Sequence, residues 1–363
     1  MRDRTRAILL TGVGTIGREL LLALVRRTDY KIAIIIRPRA RRTAEERAAR
    51  VFDEIGLTAE ERARVEVVAG DLTLDGLGLE PTVEARLIAS TEIIIHTAAV
   101  TSLTADRALC ESVNVNGTAN LLVFAGRALG EGILRRVIHL STVFVVGSGK
   151  RGVVKEDHLA PTPCHLNHYE WSKYEAERIV RATIGVGLPV TILRPSMVVG
   201  DTVTGWTRDF NVIYPLLRLM SNGWISRFPA RPDARVHLAP IDFVVEATLR
   251  AMEADWAIGR TFHLTSPTPP TVEELLACDE FFPAGASRPR LCPPDQFEIA
   301  ECPPRERELL ESVAFCFPYF NLQLSFETAN AARLMPLPVT DADYLRRLGR
   351  YAVESGYLRR IAA

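Results

Sequence analysis

Tyr169 and Lys173 stand four residues apart in the segment HYEWSKYEAE, whose composition favours a helix. On a helix this spacing places both side chains on one face, about one turn apart. A tyrosine hydroxyl has an ordinary pKa near ~10 and exchanges protons poorly at neutral pH, but a neighbouring ammonium stabilises the tyrosinate and lowers that pKa. The pair therefore predicts acid–base catalysis. Because Tyr-x-x-x-Lys also occurs by chance in many helices, the prediction depends on the surrounding motifs.

Two hydroxyl residues, Ser141 and Thr142, follow the segment RVIHL. That segment has the apolar, β-branched character of a strand that is buried on both faces. In α/β proteins, ligands bind at the carboxyl ends of parallel strands. Either hydroxyl is therefore a candidate for holding the oxygen of a substrate carbonyl group.

Three glycines, Gly12, Gly14 and Gly17, lie between the strand-like segment AILLTG and the helical segment RELLLALVRR. In this context the first glycine permits a tight turn, the second lets a pyrophosphate approach the backbone, and the third allows close packing of helix on strand. The helix N-terminus adds N–H donors and a positive dipole end. An ordinary tight turn is the alternative, but the context favours a dinucleotide site.

Basic residues follow the second strand-like segment, in IIIRPRARR. An NAD site usually has an acidic residue there, which binds the ribose 2′-hydroxyl. Here the side chains are instead Arg37, Arg39, Arg41 and Arg42, and guanidinium groups match a phosphate in shape and charge. A solvated basic loop is the alternative. Next to the glycines, the arginines favour a 2′-phosphate site and hence NADPH, with Arg37 as the leading candidate because it ends the strand.

Strand-like and helix-like segments alternate over most of the chain, which is typical of an α/β protein with a doubly wound parallel sheet of the Rossmann class. The predicted strands are AILLTG, KIAIIIR, VEVVAGD, EIIIHTAA, RVIHLST, VTILRPS and TFHLTS. The predicted helices are 16–27, 44–55, 107–129, 169–184 and 243–254. After Ser266 this alternation weakens, and prolines cluster at ordered turns that precede a further helical pattern near the C-terminus.

The pattern predicts two domains. We expect an NADP-binding Rossmann domain over residues 1–200 and 236–267, and a smaller C-terminal substrate-binding lobe over residues 201–235 and 268–363. In that lobe the segment from Trp206 to Trp224 is rich in large apolar side chains. It either packs as an ordinary helix or lines an acyl-binding wall.

The composition argues against several kinds of protein. The 363 residues carry 44 basic and 44 acidic side chains, and this balance gives no field for nucleic acid or an anionic membrane. The apolar runs are too short for a membrane span or a signal-peptide core. The six cysteines are scattered, so we expect reduced thiols and a cytoplasmic protein. His165 and His168 lack a third ligand, so no metal site is expected. The sequence carries no signal for an oligomeric state.

Further motifs occur at 70–72 (GDL), 96–99 (HTAA), 114–118 (NVNGT) and 193–201 (LRPSMVVGD). Together with the glycine loop and Tyr-x-x-x-Lys, in this order, they resemble the extended short-chain dehydrogenases/reductases over about residues 7–265. The residues expected to bind the cofactor, from the motifs and this resemblance, are Thr11, Gly12, Gly14, Thr15, Ile16, Gly17, Arg37, Arg41, Asp71, Leu72, Thr97, Ala98, Ala99, Asn114, Lys173, Pro195 and Ser196.

The resemblance also implies roles for individual residues. Thr142 would be the catalytic hydroxyl, Tyr169 the proton donor and Lys173 its partner, while Asp71 would face the adenine. The glycine loop departs from the family pattern in one respect. Extended members usually carry T-G-x-x-G-x-x-G, whereas this chain has one residue fewer between the first two glycines. The departure concerns the local shape of the loop, and a phosphate loop as such is still expected.

Within that family, the chain is most similar to the thioester-reductase and fatty acyl-CoA reductase branch. The likeness lies in the helix-rich linker after the arginines, in YEWSKYEAE and in RPSMVVGDTVTGW. It implies an NADPH-dependent oxidoreductase that reduces an acyl thioester of coenzyme A, or of an acyl or peptidyl carrier protein, to an aldehyde, with a second step to an alcohol left open. The alternatives are a ketone or aldehyde reductase, a sugar-nucleotide epimerase or dehydratase with NAD, and a non-catalytic regulator.

Overall fold

Seven apolar, β-branched segments form the central sheet of the computed structural model, which describes residues 6–149, 151–211, 213–282 and 287–358. The strands are β1 (Ala7–Thr11), β2 (Lys31–Ile36), β3 (Val65–Ala69), β4 (Thr91–His96), β5 (Arg136–Leu140), β6 (Arg151–Val154), β7 (Val190–Pro195), β8 (Met197–Val199), β9 (Arg227–Pro229), β10 (Leu238–Pro240), β11 (Thr261–Leu264), β12 (Arg290–Cys292) and β13 (Gln323–Phe326). The helices are α1 (Thr15–Arg27), α2 (Ala44–Glu54), α3 (Ala59–Ala63), α4 (Pro81–Ser90), α5 (Arg107–Cys110), α6 (Gly117–Glu131), α7 (His168–Gly185), α8 (Ile213–Ser221), α9 (Ile241–Glu253), α10 (Val272–Ala277), α11 (Pro304–Val313), α12 (Ala329–Leu334) and α13 (Ala342–Glu354).

The central sheet has the strand order β11-β7-β5-β4-β1-β2-β3. The adjacent pairs from β3 to β7 run parallel, and the chain reverses its direction of winding between β1 and β4. Thr11 pairs with His96, and His96 pairs with His139, so the carboxyl ends of β1, β4 and β5 lie at one edge. Doubly wound proteins bind ligands at this edge, beside the reversal. The predicted Rossmann fold is confirmed.

The predicted helices correspond to α1, α2, α5 with α6, α7 and α9. The prediction omits α4, whose buried side chains are only Leu87 and Ile88, too few for a clear helical period. The predicted helix over 107–129 is interrupted, because Glu111–Asn116 form a π-helical turn between α5 and α6. Such turns frequently occur at functional sites.

The chain divides into two compact units. The first contains residues 1–146, 159–194 and 245–262, and the second contains residues 147–158, 195–244 and 263–363. The main difference from the predicted partition is the segment 147–158, which joins the second unit because β6 pairs with β13. Glu156 strengthens this link by accepting a hydrogen bond from the backbone N–H of Asn330 at 2.6 Å. The other boundaries shift by a few residues.

In the second unit, the loop that follows β8 is held by α13. Tyr344 donates from its hydroxyl to the carbonyl oxygen of Gly200 at 2.6 Å, and Tyr351 donates to the carbonyl oxygen of Thr207 at 3.3 Å. The helical pattern expected near the C-terminus is thus confirmed as α13. Its two tyrosines bind the loop that carries the motif RPSMVVGDTVTGW.

The segment from Trp206 to Trp224 contains α8. Its side chains buried in the second unit include Tyr214, Leu216, Leu217 and Met220. Phe210 stacks on Tyr357 with the ring centroids 4.0 Å apart. Packing therefore accounts for the core of this segment, whereas Trp206 and Trp224 at its two ends stay partly exposed.

Candidate active site

The glycine loop joins β1 to α1 and is tightly packed at two of its three glycines. Gly12 has a φ of +88°, and a Cβ there would lie 2.5 Å from the backbone of Ala98. A Cβ on Gly17 would lie 2.1 Å from the carbonyl oxygen of Gly12. A Cβ on Gly14 would instead meet no atom within 4 Å, and Gly14 caps α1 without a side-chain hydrogen bond. The open space at Gly14, where α1 begins with Thr15 and Ile16, fits a pyrophosphate.

Thr97, directly after β4, fixes this loop. Its hydroxyl donates to the carbonyl oxygens of Thr11 and Gly12, both at 2.9 Å. The Thr11 hydroxyl lies 2.7 Å from Nδ1 of His96, and Nε2 of His96 lies 3.0 Å from the hydroxyl of Thr118. Burial lowers the pKa of His96 to about 3, so its ring is neutral. The shortened loop is thus anchored to the neighbouring strand end.

The arginines after β2 form a cationic cluster that includes a residue absent from the sequence prediction. Arg47, in the second turn of α2, donates to the carbonyl oxygen of Arg37. Burial lowers the pKa of Arg47, and the guanidinium groups of Arg39, Arg37 and Arg42 lower it further. Arg37 Nη1 also lies 3.6 Å from Oδ2 of Asp71. Guanidinium groups that repel one another in this way favour an anion as their common ligand.

Tyr169 is the second residue of α7, whose N-cap Asn167 accepts a hydrogen bond from the backbone N–H of Glu170. The Tyr169 side chain lies beside that of Thr142, just after β5. Burial raises the pKa of Tyr169 to about 12, and the neighbouring Thr142 side chain opposes only part of this rise. The expected lowering of this pKa by Lys173 is therefore wrong for this structure, because burial sets the direction of the shift. A phenol with a raised pKa stays protonated and can donate.

Lys173 lies one turn further along α7 and is buried. Its Nζ donates to the carbonyl oxygen of Leu140 at 2.7 Å. Burial lowers the pKa of Lys173 to about 8, although the carboxylate of Glu177 opposes this shift. The buried rings of His96 and His139 also face the ammonium, and burial lowers the pKa of both. Lys173 is thus a cation at neutral pH, and its pKa of about 8 lies only slightly above neutral pH.

Asn114 lies within the π-helical turn, and both its amide oxygen and its amide nitrogen form hydrogen bonds inside the protein. Its Oδ1 accepts from the backbone N–H of Val100 at 2.7 Å, and its Nδ2 donates to the carbonyl oxygen of Val100 at 3.0 Å and to the Ser172 hydroxyl at 2.8 Å. Ser172 in turn donates to the carbonyl oxygen of Tyr169 at 2.8 Å. Asn114 therefore ties the loop after β4 to the first turn of α7.

Ser141 does not offer its hydroxyl to a ligand. It is 5% exposed, and its hydroxyl donates to Oε2 of Glu177 at 2.8 Å. The interpretation of Ser141 as a group that holds a substrate oxygen is therefore wrong, because its one hydroxyl proton is bound to a buried carboxylate. Thr142 remains the hydroxyl beside Tyr169.

The remaining residues expected to bind the cofactor are Arg41, Asp71, Leu72, Ala98, Ala99, Pro195 and Ser196. All of them end a strand of the central sheet or lie in the segment that follows one. The Asp71 carboxylate accepts from the backbone N–H of Thr73 at 3.0 Å. Ser196 belongs to the second unit, where its hydroxyl donates to the Thr265 hydroxyl at 3.1 Å.

Neither a metal centre nor a bilayer-spanning helix is found in the part of the chain that the structure describes. No group of three or more His, Cys, Asp or Glu side chains there could hold a metal ion. His165 is one of the two histidines considered as metal ligands in the sequence, and its Nε2 lies 3.3 Å from the carbonyl oxygen of Val145. No helix of the described residues combines the length and the apolar character that crossing a membrane requires.

Comparison with known families agrees with a dinucleotide loop at this sheet edge. The NAD-binding family described as male sterility protein matches residues 10–248, which is more than half of the chain. The chain belongs to this family. The family consists of oxidoreductases of the extended short-chain dehydrogenase type, and its match supports a nicotinamide cofactor.

Curated relatives of this family member include reductases. "Fatty acyl-CoA reductase wat" of Drosophila melanogaster is 25% identical over 299 residues, which cover 73% of this chain and 56% of that protein. "Glycine betaine reductase ATRR" of Emericella nidulans is 27% identical over 276 residues, which cover 73% of this chain and 21% of that protein. The chain thus spans about half of the length of the first relative and about a fifth of the length of the second.

A solved structure superposes on nearly the whole chain. The terminal R domain from the myxalamid PKS-NRPS biosynthetic pathway has a TM-score of 0.83 at 25% identity, and the match covers 99% of this chain and 93% of that domain. UDP-glucuronic acid 4-epimerase from Bacillus cereus in complex with NAD has a TM-score of 0.66 at 20% identity, covering 96% and 99%. The epimerase shares the fold alone.

Replacing Gly14 or Gly17 with alanine should affect different properties of the protein, cofactor binding in the first case and stability in the second. Gly14→Ala adds a Cβ that meets no protein atom, so we expect an unfolding temperature within about 2 °C of wild type. The same methyl group should obstruct a pyrophosphate and weaken cofactor binding at least about tenfold. Gly17→Ala should lower the unfolding temperature by several degrees, because its Cβ would collide with the backbone of Gly12. Thermal unfolding measures the stability, and fluorescence titration measures the cofactor affinity. Similar effects of the two substitutions would contradict the assignment of Gly14 to the pyrophosphate site.

Proposed function

We propose that this protein reduces an acyl thioester to an aldehyde with NADPH, using Thr142, Tyr169 and Lys173. The observation that carries the proposal is the docking of α7 on the end of β5, in which Lys173 donates to the carbonyl oxygen of Leu140 at 2.7 Å and Tyr169 lies beside Thr142. The family relationship supports the substrate class, since the relatives include a fatty acyl-CoA reductase. Because the chain spans only part of that relative, the thioester is our proposal for this chain.

The residues of the chain act on the oxygen of the substrate. When bound, a reduced nicotinamide supplies hydride to the acyl carbon. Negative charge then develops on the carbonyl oxygen, and the hydroxyl groups of Thr142 and Tyr169 stabilise it with hydrogen bonds. Tyr169 remains protonated up to that point, since burial raises its pKa to about 12, and it gives its proton to the oxygen. The Lys173 ammonium stabilises the tyrosinate that results.

Collapse of the hemithioacetal breaks the carbon–sulfur bond and releases an aldehyde and a thiol. We propose that the thiol belongs to coenzyme A or to an acyl or peptidyl carrier protein, in keeping with the terminal R domain of a PKS-NRPS pathway that this chain resembles. The second unit would select the acyl group. None of the six cysteines, all of which the structure describes, forms a disulfide, which is in keeping with a cytoplasmic reaction.

The cationic cluster after β2 supports NADPH as the cofactor. Arg37, Arg39, Arg42 and Arg47 gather their guanidinium groups near the position where NAD sites carry an acid, and Arg41 stands in the same loop. A 2′-phosphate would relieve the repulsion that lowers the pKa of Arg47. An NAD-dependent epimerase has no comparable need for these cations, and the epimerase likeness is one of fold alone.

Removal of one guanidinium group should change the cofactor preference. We expect Arg37→Gln to weaken NADPH binding by about 10- to 100-fold, the loss of about 1.5–3 kcal/mol typical of a hydrogen bond to a charged group, and to change NADH binding less than about threefold. Glutamine avoids the new repulsion with Asp71 that an acidic residue would create. Titrations with both cofactors measure the effect. Arg50→Gln, in α2 and paired with Glu54, is the control, and equal losses for NADPH and NADH would exclude a 2′-phosphate role for Arg37.

The thioester reaction itself is tested with a panel of acyl-CoA and carrier-bound thioesters, by following the loss of NADPH absorbance and identifying the product. On the best substrate, Tyr169→Phe should lower turnover at least about a hundredfold and leave NADPH affinity nearly unchanged, because the ring stays and only the proton donor is lost.

Tyr174→Phe is the matched control for this substitution. It removes a hydroxyl from the same helix that donates to the carbonyl oxygen of Ala160 at 2.8 Å, so turnover should persist. Near-normal turnover of Tyr169→Phe, measured where hydride transfer limits the rate, would rule out the proposed catalytic site. Reduction of ketones with no thioester turnover would favour the simple ketone or aldehyde reductase instead.

A further inference from the structure

Three successive residues at the end of β5 each lie against a side chain from a different turn of α7. The pairs are Leu140 with Lys173, Ser141 with Glu177, and Thr142 with Tyr169. Two of these pairs belong to the proposed Thr142–Tyr169–Lys173 site. The third pair brings in Glu177, which lies on the same helix face as the other two side chains because it follows at the same four-residue spacing.

Glu177 is held by two arginine side chains as well as by Ser141. Its side chain is fully buried, and Arg194 of β7, also fully buried, donates from Nε to Oε2 at 2.9 Å. Arg181, one turn further along α7, donates from Nε to Oε1 at 2.9 Å. Burial alone would raise the pKa of Glu177, but Arg194 and Arg181 outweigh it and lower the pKa to about 2. Glu177 is therefore an anion throughout the physiological pH range.

The charged and titratable groups that face Lys173 come from three elements. They are His96 of β4, His139 of β5 and Glu177 of α7, and Tyr169 stands one turn before Lys173 on α7. Burial keeps both histidines neutral and Tyr169 protonated. Glu177 is therefore the anion of this set. A buried ion pair such as Glu177 with Arg194 generally adds little to stability. The position of Glu177 near Lys173 therefore requires another explanation.

We infer that Glu177 is a positioning residue: it supplies the negative charge that faces Lys173, and its bond to Ser141 aligns α7 so that Tyr169 meets Thr142. The inference rests on the proposed Thr142–Tyr169–Lys173 site. It assigns two functions to one carboxylate, an electrostatic one toward Lys173 and a geometric one through Ser141. The two functions can be separated by experiment.

The electrostatic function is measured without any substrate. The chain has only four lysines, Lys31, Lys150, Lys155 and Lys173, so NMR of the protein labelled with ¹³C at lysine Cε resolves the titration of each ammonium. The signal of Lys173 is the one that Lys173→Met removes. We expect Lys173 to titrate near its pKa of about 8 in wild type, and about 1 pH unit lower in Glu177→Gln, because loss of the facing anion disfavours the charged form. An unchanged titration would overturn the inference.

Glu92→Gln is the matched control. Glu92 is a buried carboxylate at the opposite end of β4 that accepts from Nε of Arg135 at 2.6 Å, so this variant also breaks an arginine pair but should leave the Lys173 titration unchanged. If Glu177→Gln does not fold, Arg181→Met replaces it. That variant removes a partly exposed cation that neutralises Glu177, so the Lys173 titration should move to higher pH. If the titration of Lys173 does not move to higher pH in this variant, the inference is also overturned.

The geometric function is measured with Ser141→Ala, which removes the link to β5 and keeps the pair of Glu177 with Arg194. We expect turnover to fall about tenfold with the KM for NADPH nearly unchanged, because Tyr169 loses its alignment. Thr191→Val removes another buried hydroxyl, on β7, which donates to the carbonyl oxygen of Ala257 at 2.9 Å, and should leave turnover unchanged. Equal turnover of the two variants would overturn the geometric function. A wild type that reduces no thioester would contradict the proposed function instead, and the NMR titration would still decide the inference.

Discussion

The contact between α7 and the carboxyl end of β5 is the interaction on which the rest of the site depends. It buries an ammonium, Lys173, and a carboxylate, Glu177, in the first unit. Charges without a partner would be too costly there, and Arg194 on the neighbouring strand and the carbonyl oxygen of Leu140 supply the partners. The strand order of the sheet thereby determines where the Tyr169 hydroxyl comes to lie. The same edge carries the glycine loop, anchored by Thr97, so proton donor and dinucleotide loop share one rigid support.

The features that follow from local rules could be predicted from the sequence. Buried strands require continuous apolar runs, the packing at Gly12 and Gly17 excludes side chains, and the four-residue spacing of Tyr169 and Lys173 places both on one helix face. These rules act over a few residues, so the sequence displays them directly. They were sufficient for the central sheet, for the major helices around it and for the order of the motifs.

The features that depend on distant partners could not be predicted. Ser141 and Thr142 look alike in the sequence, and only the buried carboxylate of Glu177 distinguishes them. Arg47 resembles an ordinary residue of a helix surface until α2 folds back onto the end of β2. The pairing of β6 with β13 joins segments that are far apart in the chain and carry no complementary local pattern. In each case the missing information is a contact made after the elements have formed.

Hydride transfer to an acyl carbon is the central claim, and the fate of a label tests it most directly. Wild-type protein is incubated with an acyl-CoA thioester and NADPH that carries deuterium at the reactive carbon of the nicotinamide, and the products are analysed by mass spectrometry. We expect an aldehyde, or an alcohol derived from it, with deuterium on the former acyl carbon and one free thiol for each acyl group reduced. Release of the thiol with an unlabelled carboxylic acid would show hydrolysis and contradict the assignment of this site to thioester reduction.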